Sequence, residues 1–132
     1  MFSHINVGVT DFERAFAFYS AVLPHLGLEL KFCEPEEPWA GWRHPAQDRP
    51  LFLIGAPVDG APHRSGNGQM TAFLAGSRQV VDDCYEAAMA SGGADAGRPG
   101  LRPQYHEHYY GAYFRDPDGN KICVCCHEPP AT

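Results

Sequence analysis

A strand–helix–strands pattern occurs twice in this chain, and that doubling constrains its fold more than any other feature. The stretch SHINVGV alternates, with Ile5, Val7 and Val9 on one face and His4, Asn6 and Gly8 on the other. Period-two alternation marks a strand with one face in a core. TDFERAFAFYSAVLPHLG follows, with Thr10 and Glu13 spaced as a capping box. It places Phe12, Ala15, Phe16, Tyr19 and Leu23 on one helical face. Pro24 disfavours helical geometry at Leu23, and Gly27 supplies a left-handed turn back. Residues 28–34, 39–44 and 51–55 read as three further strands. Beyond the Pro- and Gly-rich segment APVDGAPHRSGNG the order returns, with QMTAFLA as a strand. Ser77 caps a helix to about Ala90, which Gly92 and Gly93 end. Residues 94–108 read as irregular, and YYGAYFR and NKICVCCHE form a hairpin across DPDGN.

A shift of 66 residues lays the first strand–helix unit on the second, Asp11 on Ser77 and Gly27 on Gly93. Only Tyr19/Tyr85, Ala21/Ala87 and Gly27/Gly93 are identical over 24 positions, so the repeat lies in pattern and not in identity. The expectation is an α+β fold of two βαβββ modules, each covering one sheet face with its helix and leaving the other face for an open cup-shaped mixed sheet. Module one runs to about residue 57, a connector from about 56 to 68, and module two from about 69 to 128, all within one domain of 132 residues.

Charge narrows the partners. A net charge of −6 argues against nucleic acid, whose phosphates need clustered Lys and Arg. No run approaches the roughly 20 apolar residues of a membrane span. MFSHINVGV lacks a basic start and a long apolar stretch, so no secretory leader is expected. Five cysteines, three of them within residues 123–126, do not make a secreted disulfide framework, and a reducing cytoplasm is the simplest setting.

Strand alternation also nominates a site. If the helices cover Ile5, Val7, Val9 and Ile122, Val124, Cys126, then His4, Asn6, Cys123, Cys125 and His127 line the concave side. By the repeat offset Met70 and Ala72 take the places of His4 and Asn6. His4 reads either as a hydrogen-bonded polar residue or as a ligand or general base. Cys123 and Cys125 read as small core side chains or as soft ligands. RPQYHEHYYGAYF adds Arg102, Tyr105, His106, Tyr109 and Tyr110, whose rings and polar tips suit ligand contact or an aromatic interface. Trp39 and Trp42 read as packing or as a pocket mouth.

The first-strand His, VTDFERAFAFYSAVLPHLGL, GNGQMTAFLAGSRQVVDDCYEAAMASGG, PGLRPQYHEHYYGAYFRDPDGNKI and the terminal CH together resemble the vicinal oxygen chelate superfamily over about residues 2–128. This is the glyoxalase, bleomycin-resistance and extradiol dioxygenase group, and the chain is most similar in flavour to its glyoxalase-like branch. The resemblance implies paired βαβββ modules forming a cup, often in a homodimer, around a small-molecule ligand. It also implies a divalent metal (Zn, Ni, Fe or Mn) that chelates two neighbouring substrate oxygens. The ligand positions it implies fall on His4, within residues 51–55, on Met70 and on Cys123. Residues 51–55 hold no acid or His, Met is a weak ligand for these ions, and a His–Met–Cys set is soft enough to suit copper(I).

Three functions follow. One is a lyase, isomerase or dioxygenase on a small oxygenated substrate, with His4, His106 and Tyr109 as acid–base groups. A second is metal-free sequestration of a small molecule. The third is thiol chemistry at Cys123, which requires a depressed pKa and exposure.

Overall fold

The computed structural model describes residues 1–131. The first module comprises β1 (His4–Gly8), α1 (Phe12–Val22), β2 (Glu29–Glu34), β3 (Trp39–Arg43) and β4 (Leu51–Gly55). The second comprises β5 (Thr71–Leu74), α2 (Arg78–Ala90), β6 (Ala94–Leu101), β7 (Tyr110–Arg115) and β8 (Lys121–Cys126). Each forms a four-stranded mixed sheet, in order β1-β4-β3-β2 and β5-β8-β7-β6, with the outer pairs β1–β4 and β5–β8 parallel. The protein is thus an α+β fold of two βαβββ modules, as the repeated pattern predicts. Among the described residues, no helix is long and apolar enough to cross a membrane.

Local chemistry sets the helix ends. Asp11, not Thr10, caps α1: its carboxylate accepts from the Arg14 N–H at 3.2 Å. Thr10 is engaged elsewhere, its hydroxyl accepting from the His63 N–H at 2.8 Å and its own N–H donating to Asp118. Pro24 opens a short 3-10 helix (Leu23–Leu26), which Gly27 closes at φ 77°. Ser77 caps α2 through the Val80 N–H, as expected.

Residues 94–101 form a strand where the sequence shows no regular pattern. Gly97, Pro99 and Gly100 hide it, because strands rarely hold such residues except at bulges, and β6 shifts register against β7 on both sides of Gly97.

One core serves both modules. Val7, Val9, Trp42, Phe52 and Ile54 of the first sheet pack into the same cluster as Phe114, Ile122, Val124 and Cys126 of the second, with α1 and α2 between them. Phe18 makes the junction, its ring 6.0 Å from that of Phe114. The buried side of α1 therefore includes Phe18 and Val22 beside Phe12, Ala15 and Tyr19, while Phe16 is only partly buried. A helix packed against its own sheet and a second helix buries a wider arc than one stripe. On α2, the Cys84 thiol points at the last turn of α1, 3.8 Å from the Val22 carbonyl oxygen.

The sheet faces away from this core are bare of helix, with their central residues covered by neighbouring side chains, and they lie on opposite sides of that core. His4, Asn6, Leu51, Leu53, Gly41 and Phe32 share the first by register. Ala72, Leu74, Cys123, Cys125, Gly111 and Tyr113 share the second.

Candidate functional site

The first bare face holds His4 at the edge of a cavity of about 450 Å³ lined also by Asn6, Glu34, Trp39 and Leu53. His4 is exposed and its Nδ1 lies 3.0 Å from the Ser3 hydroxyl. The Trp39 indole donates to Glu34 at 2.9 Å, and the Phe32 ring sits edge-on to Trp39 at 4.6 Å. Gly41 lets that ring lie close to the sheet, since a Cβ there would come within 2.6 Å of Phe32 Cε1. Asn6 also borders a second groove with His63, Gln69, Met70 and Lys121.

The second bare face is built on β7 and β8. Tyr109 folds back over Gly111, where an added Cβ would come within 2.8 Å of its ring. Its hydroxyl lies 2.9 Å from that of Tyr113 and 3.5 Å from the Cys123 sulfur. Burial, then the hydrogen bond with Cys123, pushes the Tyr109 pKa up, so the phenol is a proton donor at neutral pH. Hydrogen bonding with Cys125, then burial, raises Cys123, which stays a thiol. Cys125 moves the other way, to about 6, held down first by the Cys123 thiol and further by Tyr109 and His127. Burial and Asp83 push Cys84 up to about 12, as befits a core thiol. A reactive thiolate at Cys123 is thus at odds with the structure: its surroundings protect the proton, and Lys121 spends its ammonium over the Tyr113 ring at 5.4 Å.

Histidines border this face. His106 Nε2 lies 2.7 Å from His127 Nδ1, and His127 Nε2 lies 3.7 Å from the Cys125 sulfur. Tyr105 is exposed, its ring edge-on to Tyr109 at 4.9 Å. Arg102 is half-buried, donates to the Arg98 carbonyl at 2.8 Å and lies over the Tyr113 ring.

Sequence reasoning placed Tyr110 in the pocket, but it lies on the helix side of β7. Its hydroxyl donates to Asp82 of α2 at 2.7 Å, and Arg78 covers its ring. Neighbours on a strand point oppositely, so Tyr110 and Gly111 cannot share a face. Tyr113 is the residue missed, and its signal was its two-residue spacing from Gly111.

Tyr109, Cys123 and Cys125 come together with His106 and Tyr105; Ala72 pairs with Cys123 in the same sheet. His4 and Asn6 do not join them within one chain, because the shared core separates the two bare faces. Exposed Met70 lies at the groove between the modules. The positions implied for a hard divalent ion do not fit one: Leu53 and its neighbours offer no donor, Met70 is a thioether and Cys123 keeps its proton. Among the described residues, no group of three or more His, Cys, Asp or Glu is arranged to hold a metal ion.

Known proteins share this fold. A crystal structure of a glyoxalase/bleomycin resistance protein from Albidiferax ferrireducens T118 is 38% identical, with TM-score 0.85 over 96% of this chain and 98% of that one. A glyoxalase/bleomycin resistance protein/dioxygenase family enzyme from Burkholderia phytofirmans PsJN is 21% identical, with TM-score 0.71 over 96% and 98%. Lactoylglutathione lyase from Agrobacterium tumefaciens is 21% identical, with TM-score 0.63 over 96% and 92%; these last two likenesses show the fold alone. No curated protein matches. The sequence model of the Glyoxalase/Bleomycin resistance protein/Dioxygenase superfamily matches residues 1–124, and the chain belongs to that superfamily.

Proposed function

We propose that this protein binds a small oxygenated molecule without a divalent metal, in a cup that module one of one copy forms with module two of another. The observation that carries this reading is the pair of opposed bare faces. Each is apolar at its centre, with Leu51 and Leu53 on one and Cys123, Cys125 and Tyr113 on the other. Neither carries a helix, and although Leu51, Leu53, Cys123 and Cys125 are buried by their neighbours, Leu74 is 72% exposed at the rim of its sheet. A homodimer related by a two-fold axis closes both at once. Tyr109 then donates to a ligand oxygen, Tyr105 and Trp39 stack on flat apolar parts, and His4 and Asn6 complete the polar contacts from the other copy. Five free cysteines suit a reducing compartment, the cytoplasm.

A second reading, lyase or isomerase chemistry in the same cup, is favoured by the protonated Tyr109 beside His106, whose ring centroids are 5.7 Å apart. Tyr109, an acid held protonated at neutral pH, can deliver a proton to a substrate carbon or oxygen, with exposed His4 of the other copy as the base. Dioxygenase chemistry has no such support, since the positions implied for its metal hold Leu53 and its neighbours, the thioether of Met70 and the protonated Cys123.

Sedimentation together with metal analysis of untagged protein tests the first reading. We expect a dimer, no stoichiometric metal after dialysis, and a ligand-induced rise in Tm that a chelator does not alter. A monomer at micromolar concentration sinks the shared cup, and a retained equivalent of metal sinks the metal-free reading.

A further inference from the structure

The second bare face carries an ordered chain of donors that binding alone does not use. His106 Nδ1 accepts from the His108 backbone N–H at 3.1 Å, so that nitrogen carries no proton. In the neutral ring the proton then sits on Nε2, which donates to His127 Nδ1 at 2.7 Å. His127 must in turn carry its proton on Nε2, which faces the Cys125 sulfur at 3.7 Å. A backbone amide thus fixes two tautomers in series, and the last N–H points at a thiol. The two imidazoles lie edge to edge, their planes 26° apart and centroids 5.0 Å apart, as an in-plane N–H···N bond requires.

We propose that Cys125 is a nucleophilic thiolate, aligned by His127 with His106 as its positioning residue, that forms adducts with soft electrophiles of the α,β-unsaturated carbonyl class. His127, after β8, faces the sulfur directly, and the Cys123 thiol on β8 and the Tyr109 hydroxyl before β7 add to the lowering of its pKa. Glu128 borders the adjoining groove with Leu74 and Gly76, while Gly111 and Leu74 oppose Cys125 across the sheet without charge. The His127 N–H is the group within hydrogen-bond distance of the sulfur, at 3.7 Å, and it favours the anion. The sulfur lone pair bonds to the β-carbon, and the alkene electrons move onto the carbonyl oxygen as an enolate. The α-carbon then takes up one proton from water, which replaces the proton the thiol lost, so nothing leaves and no oxidant is consumed.

The other cysteines provide the contrast. Cys84 and Cys126 lie in the core, Cys123 is fully buried and protonated, Cys125 keeps 6% of its surface exposed beside His127, and Cys33 is more exposed but has none of these donors. Cys33 is therefore an internal reference thiol.

Limited N-ethylmaleimide, followed by peptide mass spectrometry over pH 5–9, tests the proposal on the native protein. A thiolate fraction set near pH 6, discounted for its weaker intrinsic nucleophilicity, makes Cys125 roughly five- to tenfold faster than Cys33 at pH 6.5. Its rate should reach half its plateau near pH 6. His127→Phe, which keeps an aromatic ring and loses the donor, moves that half-point up by about one unit. His106→Phe moves it in the same direction, and His106→Gln, which retains an N–H, returns it toward the native value. Preferential labelling of Cys33, or a Cys125 half-point in the ordinary thiol range near 8.5, overturns the proposal without any variant. A half-point that stays fixed in both Phe variants overturns the roles of the histidines. None of these readouts requires the ligand, and failure of the shared cup is read separately by sedimentation.

Discussion

Replacing Asp116 with alanine should cost the fold about 4 kcal/mol, read as a lower urea midpoint at unchanged slope. Asp116 is 3% exposed and opens the DPDGN turn. One carboxylate oxygen accepts from the Tyr19 hydroxyl at 2.6 Å and the Asn120 side-chain amide at 2.9 Å; the other accepts from the Asp118 and Asn120 backbone N–H groups at 2.9 Å. Asn120 extends the network to the Gly8 carbonyl and to His63, so a single side chain holds together α1, the turn, β1 and the connector. Alanine would strand the buried Tyr19 hydroxyl without an acceptor, and an unsatisfied buried donor is the costly case. Asp116→Asn, similar in shape, should lose about half as much. An alkaline limb provides a second reading. Burial, then the Asp116 charge, raises the Tyr19 pKa well above its usual value, so the native state favours the protonated phenol. That contribution is whole below the unfolded value of about 10 and is lost as pH rises above it. Tyr19→Phe should accordingly flatten the loss of stability above about pH 10. A midpoint for Asp116→Ala equal to that of the parent would sink this account.

Phe18→Ala should lower stability by about 3–5 kcal/mol and still leave one cooperative transition. Phe18 has no exposed surface, and its ring meets Tyr19 at 4.9 Å and Phe114 at 6.0 Å, one partner from each module. Because both sheets share one core, the cavity weakens both halves together. Two separate transitions in calorimetry would show that the modules are stable on their own, contrary to the shared packing.

Alternation carried most of what the sequence revealed. It put Val7 and Val9 in the core and His4 and Asn6 outside it, and it separated Cys126 from Cys125, because a side chain's face follows from its parity on the strand. The same rule would have excluded Tyr110 and admitted Tyr113 had β7 been indexed from Gly111. Thr10 misled because hydroxyls serve loops as readily as helix ends, and here it serves His63. Glycine and proline obscured β6. Parity names the bare side of each sheet but not what the opposite side packs on, so the back-to-back placement of the modules was out of reach. So was the link from His106 to His127, which joins residues 21 apart that no local pattern connects.

The shared cup we propose has a genetic consequence. With each cup taking one wall from either copy, a heterodimer of a chain spoiled on its first sheet and a chain spoiled on its second would concentrate both defects in one cup and leave the other unharmed. Two inactive alleles would complement each other, whereas either alone would yield only damaged cups.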